Sequence, residues 1–242
     1  MQISVVVPVR NEAGNIETLI AEIHLELDSK YSYEMLFVDD GSADATLSKL
    51  QALMQIYPAL RVLKHQKSCG QSRAIHSGVQ AARYPWIVTL DGDGQNNPTD
   101  IHELIAVLKK RDDENLWMVA GFRHRRNDTG WRLFSSKFAN TVRRAILSDH
   151  TPDTGCGLKL FRRDKFLGLP YFDHIHRFIP ALMQMAGGQV ISVKVSHRSR
   201  KFGMSNYGTL DRLLAGIIDL LGVIWLKNRH SLPIITEVSR GQ

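Results

Sequence analysis

Short apolar runs rich in β-branched residues alternate with longer amphipathic stretches through the first half of the chain. The runs predict strands over residues 3–9, 34–39, 60–64, 86–90 and 117–121, and the stretches between them predict helices near 15–27, 44–57, 72–82 and 100–110. Such alternation specifies an α/β chain, with a mostly parallel sheet flanked by helices. Ser42 and Asp44 offer N-cap side chains, and Pro58 and Pro85 punctuate helix ends. Beyond residue 121 the pattern predicts a helix over 131–147, an irregular segment over 151–157 and a strand over 158–161. A helix over 177–186, a strand over 190–195, a basic loop over 197–207 and a last helix over 210–227 follow. This half completes the sheet and builds the second wall of a cleft.

Three predicted strands end in residues able to do chemistry. Trp86-Ile87-Val88-Thr89-Leu90 runs into Asp91-Gly92-Asp93-Gly94-Gln95. Aspartates spaced by one glycine project acceptor oxygens into one turn, and Mg²⁺ or Mn²⁺ takes carboxylates together with phosphate oxygens and water. Gly and Asp also form such turns for backbone reasons alone. Recurrence decides the reading: Met35-Leu36-Phe37-Val38 runs into Asp39-Asp40-Gly41-Ser42, and the first strand ends in Val7-Pro8-Val9-Arg10-Asn11-Glu12. Ligands of open α/β sheets bind beyond the carboxyl ends of strands, so these ends point to one composite site. A metal bridging a diphosphate is its natural content.

The chain has 242 residues, 43% hydrophobic and 23% charged, which suits one large domain or one domain with an appendage and excludes extended disorder. Its net charge of +7 favours an anionic partner: nucleic acid, an acidic membrane surface or a phosphorylated substrate. Nucleic-acid binding is not expected, because the aromatics sit in apolar runs instead of alternating with Lys and Arg. Nucleotidyl transfer is disfavoured, since no glycine-rich loop with a paired lysine stands near the start. Cys69 and Cys156 fit no ligand spacing and are expected as reduced thiols in a cytosolic environment. No signal-type segment opens the chain, and the apolar stretch 213–226, interrupted by Asp219, falls short of the roughly 20 residues that span a bilayer. A cytoplasmic protein, soluble or peripheral at a membrane, is the expectation.

With these elements placed, the chain resembles the family-2 glycosyltransferases of the GT-A (Rossmann-like) fold, and among them the dolichol-phosphate mannosyltransferase-like, polyprenyl-phosphate sugar transferases. The resemblance covers residues 3–227. Three further motifs follow those above in the family's order: Gly121-Phe122-Arg123, Asp153-Thr154-Gly155-Cys156-Gly157 and Arg200-Lys201-Phe202-Gly203-Met204-Ser205. It implies a catalytic domain over 1–209, followed by an amphipathic helix and tail over 210–242 suited to a membrane interface.

By this resemblance Pro8, Glu12 and Asp40 line the base and ribose pocket of a nucleotide-sugar donor, and Asp91, Asp93 and Gln95 hold Mg²⁺ or Mn²⁺ at its diphosphate. Arg200 and Ser205 lie in a loop that closes over the donor, where Asn206 stands in place of a lysine frequent in the subgroup. Arg123, Arg132 and Ser136 grip the phosphate of a polyprenyl-phosphate acceptor, guanidinium forks being suited to phosphate oxygens. The implied reaction inverts the anomeric carbon in one displacement, with GDP-mannose as the default donor. A phosphate monoester is already ionised near neutrality and attacks without a base. Asp93, Arg123, Arg132 and Asp153 are then the catalytic candidates, Asp153 orienting the sugar or supporting it electrostatically. The alternative is a soluble family-2 enzyme that glycosylates a saccharide hydroxyl, with Asp153 as base. His76, His174, His176 and His197 are read as structural. The last helix, with Trp225 beside Lys227 and Arg229, suits an anionic leaflet, so a peripheral enzyme at the cytoplasmic face of a membrane is expected.

Overall fold

The computed structural model describes residues 1–123, 151–200, 216–229, 231 and 236, together with the backbone of residues 209–215. The predicted helix over 131–147 lies outside the described residues, as do Arg132, Ser136, Ser205 and Asn206. One seven-stranded sheet organises the rest. Its strands are β1 (Gln2–Val9), β2 (Ser32–Asp39), β3 (Leu60–Lys64), β4 (Trp86–Thr89), β5 (Leu116–Arg123), β6 (Lys159–Arg162) and β7 (Gln189–Val195). They lie in the order β3-β2-β1-β4-β6-β5-β7, with β6 antiparallel to both neighbours and every other pairing parallel.

Burial on both faces explains why the strands read as nearly unbroken apolar runs. Val5, Val7, Phe37, Val88 and Leu160 face a core built with α1 (Ile16–Leu27), α2 (Thr46–Leu53) and α4 (Ile101–Arg111). Their neighbours Val6, Leu36, Ile87 and Phe161 face the other core, with α3 (Gln71–Ala81), α5 (Arg163–Leu167), α6 (Ile179–Met185) and α7 (Thr209–Arg229). The two sets alternate along each strand because successive side chains point to opposite faces.

Strand direction sets the position of the site. The carboxyl ends of β1, β2, β4, β5 and β7 share one edge, and antiparallel β6 begins there, with Lys159 opposite Thr89. The chain passes from β1 to β2 and β3 on one side, then returns to place β4 on the other flank of β1. That reversal opens a crevice above β1 and β4, where α/β sheets take ligands.

Several local expectations change. Ser42 does not cap α2, whose N-cap residue is Ala45, whereas Asp44 Oδ1 does accept from the N–H of Thr46, the first residue of the helix, at 2.9 Å. Ser42 Oγ and Asp44 Oδ2 also serve the neighbouring loop, accepting hydrogen bonds from Asn11 N at 2.9 Å and Ala13 N at 3.2 Å. The predicted helix over 177–186 divides into a 3-10 turn, Ile175–Arg177, and α6. Strand β5 runs on to Arg123, and the five-residue α5 was not foreseen.

Candidate active site

The loops after β1 and β2 are laced together, and that lacing fixes the first wall of the crevice. Ala43 N donates to Asn11 Oδ1 at 2.8 Å and Glu12 N to Thr46 Oγ1 at 2.9 Å. Pro8 is buried opposite Val38. Behind this wall Asp40 gathers four donors: His65 Nδ1 at 2.7 Å, Ser68 Oγ at 2.7 Å, and the backbone N–H groups of Cys69 and Gly70 at 2.8 Å each. A carboxylate offers about four lone-pair sites, so Asp40 is saturated. Burial acts to raise its pKa, but these hydrogen bonds outweigh it and hold the carboxyl below its ordinary value. Gly41 permits the approach: it sits at φ +70°, and a Cβ there would lie 2.7 Å from Ser68 N.

Asp39, the neighbour, has capacity left. Its Oδ1 accepts from Ser42 N at 3.2 Å, and its Oδ2 is buried with no hydrogen-bond partner among the described residues. An orphaned buried oxygen at a strand end is a place for a ligand N–H or O–H. The sequence pointed to the second aspartate of this pair; the unspent acceptor belongs to the first.

The turn after β4 forms the floor. Asp91 Oδ1 accepts from Gln71 Nε2 at 2.9 Å, and Asp93 Oδ1 accepts from Gln95 N at 3.1 Å. Burial, then the charge of Asp93, pushes the Asp91 carboxyl up to about 6, against the pull of Lys159 and Arg123. Gly157 lies directly against the Asp91 carboxylate, leaving no room there for a Cβ. A buried carboxylate whose pKa is raised partly by a second carboxylate is short of positive charge, and the hard oxygens of the pair suit Mg²⁺ or Mn²⁺. The Gln95 side chain turns toward the segment after β7, its Nε2 donating to Arg198 O at 3.3 Å. Asp40, His65 and the Cys69 thiol also converge within 4.8 Å, but His65 lies between Asp40 and Ser77, so that cluster is spent on itself.

Arg123 and Asp153 build the opposite wall. Arg123 Nε donates to Asp153 Oδ2 at 2.6 Å and Nη2 to Oδ1 at 2.9 Å, while Arg123 N and Gly155 N add bonds of 3.3 and 3.1 Å. Every lone-pair site of Asp153 is thereby engaged. Lys159, buried at the start of β6, donates to Cys156 O, and its charge acts on both Asp91 and Asp153. Burial is the main cause of its lowered pKa. Across the crevice Arg200 Nη2 donates to Glu12 Oε1 at 2.5 Å, and Asn15 Nδ2 donates to Oε2 at 2.6 Å. Burial first, with a contribution from Asp93, raises the Glu12 pKa despite Arg200.

The structure thus brings Pro8, Glu12, Asp91, Asp93, Gln95, Arg123, Asp153 and Arg200 to one edge of the sheet, with Asp40 behind it. Sequence reasoning passed over Asp39, Gln71, Gly157 and Lys159. Lys159 had a visible signal, being the one charged residue within Leu158-Lys159-Leu160-Phe161. His176 faces Ser72 at 2.7 Å, His174 faces Asp219 at 2.8 Å, and both cysteines are free thiols.

A mostly parallel sheet with a paired-aspartate turn at its switch point defines the GT-A class of glycosyltransferase fold. Glucosyl-3-phosphoglycerate synthase from Mycobacterium tuberculosis, solved with Mn²⁺, UDP and glucosyl-3-phosphoglycerate, superposes with a TM-score of 0.68 at 19% identity, covering 93% of this chain and 79% of that one. Residues 4–168 match glycosyl transferase family 2, and the chain belongs to that family. Dodecaprenyl-phosphate galacturonate synthase from Rhizobium johnstonii is 32% identical over 238 residues, 96% of this chain and 69% of the relative. Undecaprenyl-phosphate 4-deoxy-4-formamido-L-arabinose transferase from Aeromonas hydrophila is 28% identical over 242 residues, 99% of this chain and 72% of the relative.

Proposed function

We propose that this glycosyltransferase moves a sugar from a nucleotide-sugar donor to a polyprenyl phosphate, with a divalent metal at Asp91 and Asp93. The observation that carries the reading is the saturation of Asp153. A general base needs a lone pair for the proton it takes, and Asp153 has its sites committed to Arg123 and Gly155. An acceptor that is already an oxyanion needs no base, and both named relatives are polyprenyl-phosphate enzymes. Glycosylation of a saccharide hydroxyl, with Asp153 as base, fits this geometry less well.

In this reading Asp39 Oδ2 receives an N–H of the nucleobase, and Pro8 and Glu12 border the ribose. Arg200, held by Glu12, stands over the donor diphosphate with Ser205. Asp91, Asp93 and Gln95 hold Mg²⁺ or Mn²⁺, which would neutralise charge on the departing nucleoside diphosphate. Arg123, fixed by Asp153, presents its remaining N–H groups to the acceptor phosphate together with Arg132 and Ser136. Catalysis then rests on positioning and electrostatic support for an in-line displacement. The relatives' names favour a uronic or amino sugar over mannose as the transferred group. Residues 1–209 carry the chemistry and residues 210–242 serve its place at the cytoplasmic face of a membrane.

Incubation with Mn²⁺ or Mg²⁺, a short polyprenyl phosphate and a panel of GDP- and UDP-sugars tests the proposal. A lipid-linked sugar phosphate seen by mass spectrometry, absent with chelator and with Asp93→Ala, is the expected result. Metal-dependent donor binding with transfer only to saccharide hydroxyls would overturn it.

A further inference from the structure

Three consecutive residues at the start of α3 are each held by a different part of the molecule. Gly70 N donates to Asp40 Oδ2 at 2.8 Å, Gln71 Nε2 donates to Asp91 Oδ1 at 2.9 Å, and Ser72 Oγ shares a 2.7 Å hydrogen bond with His176 Nδ1. The backbone N–H of His176 also donates to Ser72 Oγ, at 3.4 Å. Ser72 is buried and Gln71 is exposed, as the step of about 100° per helical residue requires when the hydroxyl faces the protein and the amide faces the crevice. Ile75 and Val79 seat the body of the helix in the core. Its first turn depends on outside partners, because the opening N–H groups of a helix have none within it. The bonds to Asp40 and His176 therefore set where Gln71 points. His176 is itself held firmly: it belongs to the turn Ile175–Arg177, Ile175 and Phe178 on either side of it are buried, and His174 bonds Asp219 of α7 at 2.8 Å.

We infer that His176 is a positioning residue of the metal site: through Ser72 it sets the rotation of the first turn of α3, and so keeps the Gln71 amide on Asp91. The inference rests on the proposed metal at Asp91 and Asp93. Gln71 takes Oδ1 of Asp91 and leaves Oδ2 without a hydrogen-bond donor among the described residues. A carboxylate already oriented in this way loses less freedom on taking an ion, and removing such a partner typically costs about 10–100-fold in metal affinity. His176 acts two links from the metal, with Ser72 and Gln71 between. Burial first, then the charges of Arg177 and Lys159, hold its pKa well below the ordinary value, so the ring is neutral near neutrality. Replacing it by a neutral amide therefore leaves the charge around Asp91 unchanged and alters only the hydrogen bond.

Manganese titration of the full chain, followed by electron paramagnetic resonance, tests this without donor, acceptor or turnover. Gln71→Leu should weaken Mn²⁺ binding by about tenfold or more, and His176→Gln, whose amide replaces Nε2 and leaves Ser72 unmet, by about fivefold or more. His176→Asn sets an amide where Nδ1 stood and should stay within about twofold of the unmodified protein. Added to Gln71→Leu, His176→Gln should cost nothing further, since residues that act through one another are not additive. In the metal-free protein, exchange of the Gly70 and Ala74 amides, which donate to Asp40 Oδ2 and Gly70 O, should quicken in His176→Gln and not in His176→Asn. Ser72→Ala cuts the same link from the other end; it should match His176→Gln in both readings, and it carries the test if that variant does not fold. Undiminished Mn²⁺ affinity in His176→Gln or Ser72→Ala, equal losses in His176→Asn and His176→Gln, losses that add to that of Gln71→Leu, or unchanged exchange would each overturn the inference and leave the metal at Asp91 standing. An unmodified protein that binds no Mn²⁺ would overturn both.

Discussion

Arg123 grips Asp153 with two parallel hydrogen bonds, Nε to Oδ2 at 2.6 Å and Nη2 to Oδ1 at 2.9 Å, and so ties the end of β5 to the turn that precedes β6. Burial alone would lower the Arg123 pKa, but the carboxylate more than compensates and holds the guanidinium charged. A partly buried ion pair of this geometry is costly to break from one side, because the remaining charge loses its partner. Asp153→Ala should therefore destabilise the fold by about 2–4 kcal/mol in urea denaturation.

The same pair separates the two possible acceptors. Asp153→Asn retains the shape and removes the charge. With a polyprenyl phosphate, kcat/KM should fall by no more than about 100-fold, without loss of the acidic limb of the pH profile. A loss nearer 10⁴-fold, with that limb abolished, is the behaviour of a missing general base and would transfer the assignment to a hydroxyl acceptor.

Asp91 gives a pH dependence whose sign is fixed. Its folded pKa, about 6, lies above the ordinary 3.8, because of burial and then Asp93. The metal-free fold therefore binds this proton more tightly than the unfolded chain does. Its stability contribution is present at low pH and is lost as pH rises through about 6. A divalent cation takes the ionised form and reverses the preference. The rise in Tm on adding Mn²⁺ should accordingly be small near about pH 5 and grow to roughly 3–6 °C near about pH 7.5. Asp91→Asn should raise the metal-free Tm at the higher pH and abolish the Mn²⁺ increment. A Mn²⁺ increment independent of pH, or one retained by Asp91→Asn, would remove Asp91 from the metal site.

The adjacent aspartates after β2 should respond in opposite ways. Asp40→Asn sets an amide against four donors, and two of those are backbone N–H groups with no other outlet nearby. The expected cost is about 2–4 kcal/mol of stability. The carboxylate's own contribution is present above its ordinary pKa and lost as pH falls through the lowered folded value. Asp39→Asn changes an oxygen that has no partner among the described residues, so stability should move little while nucleotide affinity drops about tenfold or more in calorimetry. Equal nucleotide affinity in Asp39→Asn would rule out a ligand at Oδ2.

The strands, their parallel arrangement and the location of the crevice were legible because periodicity and strand-end polarity are local properties. Asp91 and Asp93 could be found for that reason. Which aspartate after β2 retains a lone pair was not legible, because the donors that saturate Asp40 arrive from residues 65–70, outside its own motif. The Arg123–Asp153 pair was hidden similarly: its members stand 30 residues apart, and strand order alone brings them together. The break between Ile175–Arg177 and α6 falls at Phe178, φ −113° and ψ 0°, and the turn before it starts after the left-handed His174, φ 67°; neither residue type announces an interruption.

Gly157 offers the sharpest geometric test of the metal floor. A Cβ there would collide with the Asp91 carboxylate, and the turn has little freedom to retreat, since Gly157 O accepts from Thr89 Oγ1 at 2.7 Å. Asp91 must move instead. Gly157→Ala should lower Mn²⁺ affinity by about tenfold or more while costing the metal-free fold about 1–3 kcal/mol, as overpacking does. Gly168→Ala is the control, because a Cβ at Gly168 meets only carbonyl oxygens at 3.6 and 3.7 Å. Manganese titration followed by electron paramagnetic resonance reads the affinity directly. If Gly157→Ala binds Mn²⁺ as tightly as the unmodified protein, the Asp91 carboxylate is not where the metal sits, and Asp93 must hold it with other partners.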